Sequence, residues 1–271
     1  MITRLVEGFK RQDPPATPQL AVPVMVPNTA YNEGQASHDN KCKAVGQLTL
    51  IAFYFLLRVG EYTQPRYVHR NGKKQRATRT VQFSISNVGF FKGNTLVDRN
   101  SPLKTLLQCT SATLKINNQK NGRMGETIHH EAITPSITEC PIKALAYRVH
   151  HILSNGGNDN TLLCAYMDKD TNNFQNVMSS DIVNAVRKAT ATLQLNKHAI
   201  DPDLVGAHSL RAGGAMALKL GGATDIDIKK YGRWSSLTFT QYIHTQIGHL
   251  SKGMSTKMSH KIPFVNVAAF K

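Results

Sequence analysis

The stretch AHSLRAGGAMALKL, residues 207–220, decides most of what can be read from this chain. Its apolar positions recur at helical spacing, and His208 and Arg211 stand three apart, so a helix carries both on one face. They fall at its amino-terminal end, where unpaired backbone N–H groups favour anions. Gly213 and Gly214 follow inside the same helix at roughly 1 kcal/mol each relative to alanine, which implies that another backbone packs close against them. Taken alone, the pair reads better as a surface arginine beside a capping histidine, since any one such pair is common.

Working outward, TDIDIKKY (224–231) and SLTFTQYIHTQI (236–247) continue the helical pattern, and the link between them, GRWSS, holds the single tryptophan, Trp234. An indole N–H can donate to a phosphate oxygen while the ring packs a neighbouring helix, although a core tryptophan needs no such duty. Tyr242 stands eight residues after Trp234 and is the last tyrosine of the chain. Far upstream, the apolar run LTLIAFYFLL (48–57) leads into RVGEYT. A helix is expected from Asp39 to Arg58, closed by a left-handed cap at Gly60. Arg58 then sits at a helix terminus, either compensating the dipole or reaching a ligand, with Glu61 placed to orient it.

Between these segments the pattern changes. Residues 79–91 alternate, and ATLKINNQ (112–119) and ETIHHEAI (126–133) read as strands on either side of a turn at Asn121-Gly122. Lys120 lies beside that turn, where a long side chain can enter a groove and protonate a leaving oxygen. A hairpin lysine is otherwise only solvated, and Lys115 and Arg123 are neighbours able to share or replace the role. After Pro141 the chain is helical again at 142–153 and 179–193. The expected fold class is mainly α with one small antiparallel β-sheet, α+β.

Residues 13–40 carry Pro14, Pro15, Pro18, Pro23 and Pro27 and read as an extended linker. Met1 to Arg11 reads as the last turns of a helix whose partners lie elsewhere, so residues 1–40 are expected to be a remnant plus linker, with an amino-terminal domain truncated or lost. Residues 41–271 then form the main domain, with a tail from about residue 248 whose apolar VNVAAF (265–270) suits packing on a neighbouring protomer or on its own domain.

The 271 residues include 33 Lys+Arg against 17 Asp+Glu, a formal charge of +16, which points to a polyanion and above all to nucleic acid. The four cysteines are widely spaced with no C-x-x-C, so neither a zinc ribbon nor a disulfide framework is indicated and a reduced intracellular compartment is expected. The most apolar run is about half the ~20 residues needed to cross a bilayer, and the amino terminus lacks a signal-peptide core. Adjacent histidines, His129-His130 and His150-His151, point different ways on a strand or helix, so no metal is expected.

Together, Arg58, His208, Arg211, Trp234 and Tyr242 read as one site. A phosphodiester under attack gathers negative charge on its non-bridging oxygens, two guanidiniums can hold it, and a nearby phenol can attack. In this order, with Lys120 in a β-hairpin, these residues resemble the catalytic domain of tyrosine recombinases, the phage integrase-like family, over roughly residues 40–250. The wording FYFLLRVGEYT and GRWSSLTFTQYIH is similar to recombinases of eukaryotic Crypton and DIRS-like mobile elements.

The resemblance implies that Arg58 and Arg211 clamp the scissile phosphate, His208 assists proton transfer, Lys120 is the general acid, and Trp234 stands where many members carry histidine. Tyr242 would form a 3′-phosphotyrosyl intermediate and free a 5′-hydroxyl. Many members place the tyrosine nine positions on, where this chain has Ile243; eight suits the eukaryotic subgroup. The covalent link retains the bond energy, so neither ATP nor a metal cofactor is implied. The implied partners are double-stranded DNA and copies of the chain itself, a dimer and then a tetramer on DNA, with the nucleus as the place of action. Two other readings share the residues: a type IB topoisomerase-like enzyme, and a DNA-binding remnant without turnover.

Overall fold

Asp39 caps a helix. Its carboxylate accepts the backbone N–H groups of Lys41 and Cys42 at 2.9 and 3.3 Å, and the chain then runs helical over Asn40–Tyr54. In the computed structural model, which describes residues 20–70, 73–76, 80–116, 125–133, 137–234, 236 and 240, this helix (α2) lies at the centre of the fold. Leu48, Leu50, Ile51, Ala52 and Phe53 are all buried, which is why the carboxyl-terminal half of its sequence shows no polar face.

The helices Met25–Ala36 (α1), Pro141–Ser154 (α5), Ser179–Thr192 (α6) and Ala207–Leu220 (α7) all pack against α2 or against one another around it. The short elements Val59–Tyr62 (α3), Leu103–Leu106 (α4) and Asp225–Tyr231 (α8) complete the α-helical set among the described residues. Of the strands, Val88–Lys92 (β3), Thr95–Val97 (β4), Ser111–Lys115 (β5) and Thr127–Glu131 (β6) form one antiparallel sheet in the order β4-β3-β5-β6. Two separate hairpins pair Tyr67–Arg70 (β1) with Lys73–Arg76 (β2) and Ala165–Asp168 (β7) with Asn173–Asn176 (β8). The fold class is therefore mainly α with a small antiparallel sheet, as expected.

Within the sheet, Val88 pairs with Leu114, and Leu114 with Ile128, so one face of successive strands is apolar and faces the core. The expected strand at 79–91 is shorter than its alternation suggested: Ile85–Asn87 is a 3₁₀ turn, and pairing begins only at Val88.

Two expectations are corrected. The extended linker at 13–40 is helical over Met25–Ala36, with Val26, Ala30, Tyr31 and Gly34 on its buried face. Pro27 does not prevent this, because it falls in the first turn, where an N–H has no intrahelical acceptor to lose. Glycine lets α1 and α2 close on each other: a Cβ at Gly34 would lie 2.7 Å from the Cys42 carbonyl oxygen, and one at Gly46 would lie 2.5 Å from that of Ala30.

The end of α2 also differs from expectation: it stops at Tyr54 rather than running to Arg58, Leu56 rather than Gly60 takes the left-handed turn at φ +48°, and Arg58 opens α3 as its amino-terminal cap residue.

Candidate active site

The turn after α2 is held by side chains from the far end of the sequence. Arg233, directly after α8, donates from Nη1 to Glu61 Oε1 at 3.0 Å and from Nη2 to Glu61 Oε2 at 3.1 Å, a two-point fork. Its Nη2 also reaches the Leu56 carbonyl at 3.0 Å. Arg211 Nη1 donates to that same carbonyl, and its Nη2 to the carbonyl of Gly232. One peptide oxygen thus joins the central helix to α7 and to the segment after α8.

Glu61 is the second hub. It accepts the Arg58 backbone N–H at 2.8 Å and Arg58 Nη1 at 3.3 Å, besides both contacts from Arg233. Only 1 % of the Glu61 side chain and 3 % of that of Arg233 are exposed. Burial by itself would raise the carboxyl pKa, but the charge and hydrogen bonds of Arg233, then the N–H and charge of Arg58, hold it below the ordinary carboxylate value. Glu61 therefore stays ionised and fixes Arg58, whose side chain is 23 % exposed, at the edge of the site.

Arg211 is turned inward. It is 1 % exposed, and its guanidinium lies 4.2 Å from the centroid of the Trp234 ring. Trp234 itself packs on Leu56, Ala215 and Ile228. Gly232 makes room for this, since a Cβ there would fall 1.5 Å from the Trp234 ring. The turn is completed by Arg233 in the left-handed region at φ +56°, a conformation that costs a non-glycine residue roughly 1–3 kcal/mol.

His208, one turn earlier on α7, is exposed as a residue, with the protein covering part of its ring. Desolvation by the protein around its ring, then the charges of Arg211 and Arg58, lowers its pKa below that of free histidine. It is accordingly neutral at pH 7 and able to accept a proton or a hydrogen bond. The coupling to both guanidiniums also places Arg58, His208 and Arg211 in one neighbourhood, although His208 and Arg211 differ in exposure where one shared face was expected.

The hairpin β5-β6 is anchored beside them. The Tyr231 hydroxyl donates to the His129 carbonyl, and the His130 ring packs on Phe55 and Tyr231 at centroid distances of 4.5 and 5.0 Å. His130 Nε2 lies 2.7 Å from the Tyr54 carbonyl at the end of α2. Burial depresses the His130 pKa to about 4, with the Tyr54 hydrogen bond opposing it, so the neutral ring donates from Nε2. A cleft of about 400 Å3 separates the hairpin from Lys230, Tyr231 and Arg233.

The structure thus brings Arg58, Glu61, His208, Arg211 and Trp234 together. Lys120 and Tyr242 lie outside the described residues, and Lys115 ends β5 with its side chain exposed. Arg233 was missed by sequence reasoning; its only signal was a cation beside the single tryptophan. Among the described residues, no cluster of three His, Cys, Asp or Glu side chains is arranged to hold a metal ion, and no helix is long and apolar enough to cross a membrane.

No family model and no curated protein matches the chain. Among solved structures, it is similar to XerA recombinase at 17 % identity and a TM-score of 0.49, over 91 % of this chain and 68 % of that one. It is also similar to the Tn1549 transposon integrase in complex with circular intermediate DNA, at 11 % identity and a TM-score of 0.43, over 91 % of this chain and 69 % of that one. The same integrase with transposon right end DNA gives 11 %, 0.43, 91 % and 68 %.

Proposed function

We propose that this chain cleaves and rejoins DNA strands as a tyrosine recombinase does, through a covalent bond between Tyr242 and a 3′-phosphate. One observation carries the reading. Arg58, Glu61, His208, Arg211, Arg233 and Trp234, from segments up to 177 residues apart in sequence, converge on the turn after α2. Buried guanidiniums, a partly exposed arginine and a neutral histidine in one place suit a pentacovalent phosphorane, which carries more negative charge than the phosphodiester from which it forms.

In this account Arg58 and His208, on the solvent side, contact the scissile phosphate. Arg211 supplies positive charge from beneath; direct contact would require it to exchange its two carbonyl partners for phosphate oxygens. The Tyr242 phenol loses its proton, with His208 assisting, and its oxygen attacks phosphorus. The bond from phosphorus to the 5′-oxygen breaks, and that oxygen takes a proton from Lys120. Rejoining is the reverse: a 5′-hydroxyl attacks the phosphotyrosine and tyrosine leaves. Site-specific recombination or integration by a dimer and then a tetramer on double-stranded DNA, in the nucleus and within a Crypton or DIRS-like element, is the finer form of the proposal.

A second reading is favoured by the inward Arg211: a remnant that holds DNA phosphates without turning over. The polarity of cleavage separates the two. With a nicked duplex labelled on either side of the break, the proposal expects the protein on the 3′ end and a free 5′-hydroxyl on the other. A 5′-linked adduct contradicts the mechanism, and DNA binding with no cleaved product supports the second reading.

A further inference from the structure

A cleft of about 490 Å3 opens between α1, α2 and α5. It is lined on the amino-terminal half of α2, whereas Leu56 and Arg58 follow the other end of that helix. Lys43, Arg148, His150 and His151 line it, no carboxylate does, and the remaining lining side chains are amides and hydroxyls. Glu139, next to the lining residue Thr138, is turned to Asn32 by a 2.7 Å hydrogen bond.

At the deepest part are Arg148, 1 % exposed, and Gln47, 4 % exposed. Arg148 donates from Nε to the Leu163 carbonyl at 3.3 Å, from Nη1 to Gln47 Oε1 at 3.4 Å, and from Nη2 to the Ala165 carbonyl. All three acceptors are neutral, and no carboxylate pairs with it among the described residues. Burial lowers its pKa to about 10, which leaves it cationic at neutral pH. A buried cation without a counter-charge is costly, and an anion entering beside it removes part of that cost. The neighbouring His151 accepts the Met167 backbone N–H on Nε2 at 3.1 Å, so it is a neutral member of the cluster. Burial above all, then the charges of Arg148, Lys43 and His150, depresses its pKa to about 4.

We propose that this cleft binds a compact oxyanion, inorganic phosphate or a phosphomonoester, against Lys43 and His150 with the Arg148 charge beneath. The concavity suits a terminal phosphate better than a diester, which must extend on both sides. The inference stands apart from the DNA chemistry proposed above.

The test is a titration of the full chain with inorganic phosphate, against chloride at equal ionic strength, followed by the histidine ring signals in NMR. The expected result is saturable movement of the His150 and His151 signals at millimolar phosphate. Lys43→Gln, or His150→Gln should the first variant fold poorly, weakens that binding at least fivefold. Movement of His208 alone, or unchanged binding in the folded variants, overturns the assignment. A duplex DNA that shifts His150 and His151 where free phosphate does not also overturns it, in favour of a backbone contact.

Discussion

At the scale of single residues, the site depends on a carboxylate that the sequence offered as an orienting partner of Arg58 alone. Glu61 pairs with the buried Arg233 and with the partly exposed Arg58, so Glu61→Gln leaves Arg233 buried without its counter-charge. The expected loss is about 3–5 kcal/mol of unfolding free energy in urea, together with lost strand cleavage. A variant within 1 kcal/mol of wild type would show that the fork is not holding the turn. Arg233→Lys separates charge from geometry, since an ammonium cannot make the two-point contact; it is expected to lower cleavage at least tenfold while DNA affinity changes less than twofold. Equal losses of both would assign Arg233 to binding instead. That Arg58, Glu61, His208, Arg211 and Trp234 lie together was legible because their residue types and order suit phosphoryl chemistry. Arg233 was not, because its partners Glu61 and Leu56 are 172 and 177 residues away, and no local spacing encodes such a contact.

At the scale of elements, the site is held by close backbone packing. A Cβ at Gly213 would lie 2.0 Å from the Val22 carbonyl oxygen, and one at Gly214 would lie 2.4 Å from that of Phe53. Gly213→Ala should therefore destabilise the fold by roughly 1–3 kcal/mol despite alanine's better helix propensity; an unchanged or raised urea midpoint would contradict the packing. The glycine pair was readable in the sequence for that reason: glycine inside a helix is unfavourable unless something needs the room. The helix at Met25–Ala36 was hidden by Pro23 and Pro27, whose meaning depends on where the first turn falls. The break after Tyr54 was hidden too, because nothing local distinguishes Leu56 in a left-handed turn from Leu56 in a continuing helix. What fixes Leu56 is the pair of arginines on its carbonyl.

At the scale of the whole molecule, two titrations report on the fold and the charge. His130 and His151 have folded pKa values of about 4 against an ordinary 6.5. Because the unfolded chain binds their protons first, stability is full above about pH 6.5 and falls as the pH drops toward 4, on the order of 2–3 kcal/mol for His130. The depressed Glu61 pKa adds a further loss below its ordinary value of 4.5. Urea midpoints between pH 7 and pH 4 check this, and a flat profile would mean that the rings are not held neutral. The formal charge of +16 predicts DNA affinity that falls on the order of a hundredfold or more between 50 and 200 mM salt, read by fluorescence anisotropy. A salt-independent affinity would remove phosphate neutralisation from the account.

The central claim is that Tyr242 becomes covalently joined to DNA. Wild type and Tyr242→Phe, each incubated with nicked, end-labelled duplexes that include sequences flanking the gene, should differ in one respect: wild type alone gives a labelled adduct that protease removes. An adduct that survives Tyr242→Phe would contradict the nucleophile, and the absence of any adduct from a wild-type protein bound to the same DNA would contradict the chemistry.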